Sequence, residues 1–454
     1  MNRPRLLAKF ALVAAGVIGS AAAFLCFVDK DKVDIFAVME DVSRMSRLDL
    51  WPGFHSEDIP CALSDGERTY LFHFPGSPKG FSPLPDKPDV LVFDGVHPAV
   101  FGNIRGRIDG VWVAVSIPQF SSASSGRHFS LQDMAAVVLH EQFHVFQAVH
   151  HPDWQVNDLV LIRYRVDTAE TICVRQKEIE ALRRAVAART REDAAGWAET
   201  ALALRKKRLA DLGAERVEYD QNLHLQEGLA EYIQYRAAGN EPSDAPLVSG
   251  FAPKAIRELG YFEGRCFAEL LDRFDPRWKD GLEAGLFRYL DERLERDLQD
   301  APGGNVFSPK EEEDFRTASR TAVSERTLEL AKIRQELSAQ LGLTVVFDFS
   351  ARPLSFKMFN PFAIDMLIPG EVVHRQWVVL ENDRGTVEVI NRPCLTKIDS
   401  RSRVTRLVVP GLSRRPLSNR IGRSLRFLQD GLGVYLNNAQ FTYEGSSLMI
   451  IRVY

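Results

Sequence analysis

The chain has 454 residues, a net charge of -4 at pH 7, 45% hydrophobic residues and 26% charged residues. This length allows two or three domains with sizeable cores, and the composition is that of an ordinary globular protein. Because the charges nearly balance, nothing in them indicates a nucleic acid as a partner.

The N-terminal residues 1–28 are expected to be a membrane anchor or a signal peptide. Three basic residues precede an uncharged apolar run at 10–28, and about 20 such residues can cross the hydrocarbon core of a membrane. The basic flank favours an anchor whose C-terminal side lies outside the cytoplasm. Small residues at 20–23 leave a cleaved signal peptide as the alternative. Both predict that the rest of the chain works in the cell envelope or beyond it.

Four cysteines would lie in that compartment, and they are Cys61, Cys173, Cys266 and Cys394. They are far apart and contain no CxxC pair, so their spacing does not indicate a metal cluster. One or two disulfides and free buried thiols are both open, and the sequence does not reveal a pairing.

The N-terminal half of the remaining chain is expected to combine a small sheet with a capped helix. Residues 29–84 are mixed and turn-rich, whereas the β-branched and aromatic runs at 89–93 and 111–115 predict strands. Ser130, followed three residues later by Asp133, predicts the N-cap of a helix that ends near 151–152.

Helices are then predicted up to about residue 341. Ala, Leu, Arg, Lys and Glu dominate 168–212, which predicts a helical hairpin with a break near 191–193. A further helix is expected over 223–238, and another begins near Pro253 and is interrupted near Gly260. Strand-like runs follow at 345–349, 377–380, 386–390 and 448–453, and they predict a β-rich domain over 343–454.

The sequence His-Glu-Gln-Phe-His at 140–144 forms an HExxH motif on the capped helix. His140 and His144 are one turn apart and project from the same face, so their two imidazoles can hold one Zn²⁺. Glu141 lies beside them, where it can take a proton from a water on the metal. The motif therefore predicts a zinc site with Glu141 as the catalytic base.

A zinc site of this kind needs a third protein ligand and keeps a fourth position for water. Glu227 is the first candidate. It shares a helix face with Glu231, so one carboxylate can reach the metal while the other orients an imidazole.

Two other candidates for the third ligand remain open. His150 has the histidine spacing of the metzincin motif HExxHxxGxxH, although Gln147 stands where that motif has glycine. Glu170 lies at a thermolysin-like distance from His144, but no pattern around it supports a metal site.

The HExxH motif together with Gln-Glu-Gly-Leu-Ala-Glu-Tyr at 226–232 resembles the gluzincin metallopeptidases, the clan of thermolysin and the aminopeptidase-N-like enzymes. This resemblance, which covers about residues 110–290, implies Glu227 as the zinc ligand and Glu231 as a partner of a zinc-binding histidine. The chain departs from the clan, because about 80 residues separate the two motifs where the best-known members have about 20. The hairpin at about 168–212 would then be an insertion between the motif helices.

The sequence Tyr-Phe-Glu-Gly at 261–264 is similar to the Tyr-x-x-Gly of aminopeptidase-N-like enzymes, whose tyrosine stabilises the oxyanion. The similarity implies that role for Tyr261, since a phenol is a suitable donor to a developing alkoxide. His224 and Tyr219 are the alternative donors. A Gly-x-Met-Glu-Asn motif for amine binding is missing, which favours an endopeptidase or another specificity.

The sequence thus predicts an α+β protein. A mainly helical, zincin-like catalytic domain over 29–342 would contain the small N-terminal sheet, and a separate β-rich domain would follow over 343–454. The expected function is zinc-dependent hydrolysis, and the resemblance to the gluzincins implies amide bonds in peptide or protein substrates. The alternative is an envelope binding or assembly protein with a structural zinc site, or a degenerate peptidase. Glu141 favours catalysis, because a structural site needs no free carboxylate beside the metal.

Overall fold

The structure is a computed structural model, and it describes residues 33–100, 102–117, 130–164, 168–210, 212–239, 253–299, 303–413, 419–421 and 424–454. The helices in these ranges are α1 (Ile35–Met45), α2 (Leu131–His150), α3 (Ala169–Ala187), α4 (Arg191–Ala210), α5 (Ala214–Leu223), α6 (Leu229–Ala238), α7 (Pro253–Phe274), α8 (Trp278–Glu283), α9 (Leu290–Asp297) and α10 (Pro309–Ser338). A π-helical turn, His224–Gly228, joins α5 to α6, and 3₁₀ turns lie at Ser56–Asp58, Pro152–Trp154, Asp158–Arg163 and Pro361–Ala363.

The strands fall into an N-terminal and a C-terminal group. The first group is β1 (Cys61–Ser64), β2 (Arg68–Phe72), β3 (Ser82–Leu84), β4 (Lys87–Asp94), β5 (Ile104–Ile108) and β6 (Val111–Ser116). The second group is β7 (Leu343–Asp348), β8 (Ser355–Phe359), β9 (Ile364–Ile368), β10 (Glu371–His374), β11 (Trp377–Asn382), β12 (Gly385–Ile390), β13 (Cys394–Ile398), β14 (Val404–Leu412), β15 (Asn419–Ile421), β16 (Ser424–Gln429), β17 (Leu432–Asn437), β18 (Ala439–Glu444) and β19 (Leu448–Val453).

The N-terminal sheet supports the helix that carries the HExxH motif. Its strand order is β3-β4-β2-β1-β6-β5, so β5 lies at one edge. The helix α2 begins after Ser130 with a capping box, in which Ser130 and Asp133 each accept from the other's backbone N–H. Leu139 and Phe143 of α2 pack in one apolar cluster with Leu63 of β1. The predicted strands and the predicted cap are therefore confirmed.

One detail of the predicted elements is wrong, and one region holds more structure than was predicted. The region expected to be mixed and turn-rich also contains α1, β1, β2 and β3, and α1 buries Val38 and Val42 in the core. The helix α7 runs through Gly260 without interruption. A Cβ atom at Gly260 would lie 2.1 Å from Cδ2 of Leu223, so this glycine makes room for a neighbouring side chain and does not end a helix.

The helical hairpin α3–α4 is fastened to the rest of the helical region by buried ion pairs. Arg175 on α3 lies 2.7 Å from Glu263 on α7, and Arg208 on α4 lies 2.8 Å from Asp220 on α5. Arg208 also pairs with Glu178 of the same hairpin at 2.6 Å. A charge buried without its partner is costly, so these pairs favour one fixed position of the hairpin beneath α5 and α7.

The C-terminal strands form two sheets that face each other across one apolar core. Their strand orders are β18-β19-β7-β14-β13-β10-β9 and β15-β16-β17-β12-β11-β8. Phe347 and Val409 of the first sheet are fully buried in the same cluster as Val387 and Leu436 of the second. The four strand-like runs found in the sequence lie in β7, β11, β12 and β19.

The C-terminal strands also pack against the helical region. Ile364 of β9 and Val372 of β10 belong to one buried cluster with Leu161 and Ile256. Beside this cluster the ring of Phe362, which is 40% exposed, lies 5.1 Å below the guanidinium of Arg257 on α7 and 6.5 Å from the ring centre of Tyr261. The C-terminal region therefore reaches the neighbourhood of the predicted zinc site.

The arrangement confirms the α+β class. None of the helices within the described residues combines the length and the apolar character that a membrane crossing needs. The predicted anchor or signal at 1–28 lies outside those residues. The four cysteines of the described part of the chain are free thiols.

Candidate metal centre

Three buried side chains with metal-binding atoms meet where α2 faces the π-helical turn. His140 and His144 project from α2, and Glu227 projects from the turn. One ligand atom from each of the three lies within 4.8 Å of the others, and all three side chains are buried. The structure thus brings together the two histidines of the motif and the first of the three candidates for a third ligand.

The distances and the donor set fit a zinc ion. The Nε2 atom of His144 lies 3.2 Å from Oε2 of Glu227. Two ligands bound about 2.0–2.1 Å from a tetrahedral zinc are about 3.3 Å apart, so this pair of atoms already has the spacing of two ligands that share an ion. The Nδ1 atom of His140 is buried and makes no hydrogen bond of good geometry, although the side chain of Gln234 and the backbone of Ala230 interact with this imidazole. Two imidazoles and one carboxylate form a set that catalytic zinc sites use.

Gln147 holds His144 in the orientation that the site needs. The Nδ1 atom of His144 lies 2.9 Å from Oε1 of Gln147 and donates to it, so Nε2, which lies 3.2 Å from Oε2 of Glu227, is the nitrogen left to bind a metal. The amide nitrogen of Gln147 donates to the backbone carbonyls of Leu225 and Gln226, at 2.8 and 3.1 Å. One side chain therefore both orients a histidine and ties α2 to the turn that carries Glu227.

Glu227 is held by two donors on the side away from the histidines. Its Oε1 atom accepts from Arg257 at 2.8 Å and from Gln226 at 2.9 Å. Burial by itself would raise the pKa of Glu227, but His144 and Arg257 outweigh it and hold the pKa well below its usual range. Glu227 is therefore a carboxylate at neutral pH, as a metal ligand must be.

The neighbouring groups have shifted pKa values with identifiable causes. Burial, together with the charge of His144, lowers the pKa of His140 to about 3 and keeps that imidazole neutral. Burial would also lower the pKa of His144, but the carboxylate of Glu227 reverses the shift and raises it. Burial and Glu227 raise the pKa of Glu141 to about 7. A cation bound by the three ligands would favour the carboxylate form of Glu141 and lower that pKa again.

A close contact between two glycines brings Tyr261 to the site. A Cβ atom at Gly228 would lie 2.5 Å from Cα of Gly264, so the π turn and α7 meet backbone to backbone. Tyr261 is one turn before Gly264, and its ring lies parallel to that of His140 with centres 6.1 Å apart. Burial, the charge of Glu227 and a hydrogen bond to that carboxylate raise the pKa of the phenol well above its usual range, so the phenol stays protonated.

The other candidate ligands lie elsewhere. His150 is exposed at the end of α2, and Glu170 is exposed on the hairpin, where Lys207 lies 3.6 Å away. Glu231 hydrogen-bonds neither imidazole. Burial raises its pKa, with Arg265 opposing the shift and Glu227 adding to it. The orienting role that the resemblance gives to Glu231 belongs, for His144, to Gln147 in this structure.

The two alternative donors are engaged outside the metal centre. The Nε2 atom of His224 lies 3.0 Å from Oε2 of Glu263, and the hydroxyl of Tyr219 donates to Asp158 at 3.4 Å. Tyr261 is therefore the phenol that the structure places against a ligand histidine.

Gln147 and Arg257 are site residues that the sequence analysis missed. Each stands one helical turn from a residue already singled out, Gln147 after His144 and Arg257 before Tyr261. The helical period could have marked both as neighbours of the site, because residues three or four apart lie on one face.

No protein-family model, no curated protein and no solved structure matches the chain. The interpretation of the centre thus depends on its own geometry and on the motifs that lie within it.

Proposed function

We propose that the protein is a zinc-dependent hydrolase that cleaves amide bonds in peptides or proteins. The observation that carries this proposal is the buried group of His140, His144 and Glu227 with the carboxylate of Glu141 beside it. Glu141 is not part of the ligand group, so its carboxylate is available for proton transfer. The motif resemblance to the gluzincins supports amide bonds as the substrate class and a zincin-like catalytic domain.

The roles of the side chains follow from their positions. Zinc held by the three ligands would lower the pKa of a water towards neutral and polarise a carbonyl group. Glu141 accepts the proton of the attacking water and passes it to the leaving amine. Gln147 fixes the tautomer of His144, and Arg257 holds Glu227 in its carboxylate form. The basic and apolar N-terminal run supports a location outside the cytoplasm, with residues 1–28 as the membrane anchor or the export signal.

Chelation tests the proposal directly. The full-length protein loaded with zinc is expected to hydrolyse casein, to lose that activity when a chelator removes the metal, and to regain it when zinc is restored. A preparation of the His140→Ala, His144→Ala double variant is the control for contaminating proteases. Stoichiometric zinc without hydrolysis would favour a structural site, and hydrolysis that resists chelation would contradict the proposal.

Tyr261 is proposed to donate a hydrogen bond to the oxyanion that forms as water attacks the carbonyl. Tyr261→Phe keeps the ring against His140 and removes only the donor. We expect kcat to fall about 10²- to 10³-fold while KM and zinc content change little, because the hydrogen bond forms only in the transition state. Tyr219→Phe, which removes a phenol that donates to Asp158, is the matched control. Steady-state kinetics in which Tyr219→Phe shows the loss and Tyr261→Phe does not would reassign the donor.

A further inference from the structure

Arg105 is a partly buried cation that pairs with no carboxylate in the part of the chain that the structure describes. It lies on β5, at the edge of the N-terminal sheet. Its Nη2 atom donates to Oε1 of Gln155 at 3.0 Å, and its guanidinium lies 5.7 Å from the ring centre of Trp112. Within the described residues it forms no ion pair. A guanidinium has several donors in a planar fork that matches a carboxylate, and here most of them are free.

A short series of contacts connects Arg105 to the metal centre. Gln155, its hydrogen-bond partner, precedes Val156, whose backbone N–H donates to the side-chain oxygen of Gln226 at 2.8 Å. Gln226 in turn donates to Glu227 at 2.9 Å. Burial lowers the pKa of Arg105, and the charges of Glu227 and Glu141 oppose that shift. The guanidinium thus lies within the electrostatic reach of both carboxylates.

Arg105 differs from Arg257, a second arginine near the centre, in how its positive charge is matched. Arg257 already pairs with Glu227 and with Asp158, so its charge is matched within the protein. Among the described residues, the hydrogen-bond partner of Arg105 is a neutral amide oxygen. A cation bound at the centre would neutralise the charge of Glu227. The positive charge of Arg105 would then be available to a negatively charged ligand from solution.

We infer that Arg105 binds a carboxylate of the substrate beside the scissile bond. The substrate class would then be peptides that present a carboxylate at this position, either a free C-terminus or an acidic side chain. This inference rests on the proposed function, and it adds the feature of the substrate that the site selects.

The experiment measures binding, so that it does not depend on turnover. The zinc-loaded, full-length Glu141→Gln variant is titrated with fluorescent pools of short N-acetylated peptides. The pools end in a carboxylate or in an amide, and each is made with glutamate or with glutamine at a fixed internal position. We expect about 10-fold tighter binding of the pools with the matching carboxylate, the size expected for a charge-assisted hydrogen bond.

Two further variants on the same background identify the residue. Arg105→Gln is expected to remove the preference. Arg107→Gln is the matched control, because Arg107 lies on the same strand with its guanidinium 4.0 Å from the ring centre of Trp112. It makes the same change of charge and should keep the preference. Arg105→Lys should retain part of it, since an ammonium keeps the charge but loses the fork.

The outcomes distinguish a C-terminal carboxylate from a side-chain carboxylate, and they test the inference separately from the proposed function. A preference for the terminal acid over the amide identifies the C-terminus, and a preference for glutamate over glutamine identifies a side chain. Equal binding of all pools, or a preference that survives Arg105→Gln, overturns the inference. Hydrolysis of the same pools by the unmodified protein is scored separately. Cleavage without a carboxylate preference leaves the proposed function standing, and a preference without cleavage contradicts that function alone.

Discussion

Replacement of Glu141 by glutamine is expected to lower kcat for peptide hydrolysis by about 10²- to 10⁴-fold while zinc stays bound. The amide is nearly isosteric with the carboxylate but cannot take up the proton of the attacking water. Because the ligand group consists of His140, His144 and Glu227, the variant keeps every metal-binding atom. Zinc content by mass spectrometry and steady-state kinetics with a peptide substrate measure the two quantities.

The matched control for this variant is Glu170→Gln, the same chemical change on the exposed face of the hairpin. Its kcat should equal that of the unmodified protein within about two-fold, as for most exposed substitutions. Hydrolysis by Glu141→Gln at the parent rate would show that another group is the base, or that the activity does not arise at this centre.

Loss of zinc affinity should be greatest for Glu227→Gln. This variant removes a charged ligand but keeps an acceptor for Arg257, which also retains its ion pair with Asp158. Loss of a group that only hydrogen-bonds a metal ligand typically lowers the affinity about 10- to 100-fold. We expect a larger loss of zinc affinity for Glu227→Gln. The loss of zinc affinity for Gln147→Ala should lie within that range, because this variant removes the hydrogen bond that orients His144 but keeps all three ligands. Competition with a zinc-sensitive dye gives all the affinities on one scale.

Two variants complete the series. Glu231→Ala should weaken zinc binding less than Gln147→Ala, because Glu231 hydrogen-bonds neither histidine in the structure. His150→Ala should leave the affinity unchanged, since His150 is exposed at the end of α2. If His150→Ala lost zinc and Glu227→Gln kept it, the third ligand would be His150, at the position that the metzincin motif uses. Thermal unfolding of each variant separates a lost ligand from a lost fold.

Local sequence patterns predicted the parts of the structure that local forces determine. Ser130 and Asp133 specify the start of α2, because a capping box forms among neighbouring residues. His140 and His144 share a face because the helical period requires it. The two strand runs before them and the hairpin after them follow from composition and periodicity in the same way.

Features that depend on contacts between distant segments could not be predicted. The glycine at 260 indicated a break, but its space is filled by Leu223 of another helix. The π turn that carries Glu227 packs against Gly264 of α7, and no local pattern identifies that contact. Gln147 became a site residue only because the carbonyl groups of the π turn lie opposite it. These facts belong to tertiary packing, which overrides local preference.

The apolar contact between the C-terminal strands and the helical region has a consequence for cooperativity. Ile364 and Val372 bury surface that belongs jointly to both regions, and Phe362 lies against Arg257, the partner of Glu227. Removal of the chain from residue 343 onwards would expose apolar surface and take away the ring that packs against Arg257. We expect the two regions to unfold together, so that stability gained by metal binding would extend to the C-terminal strands.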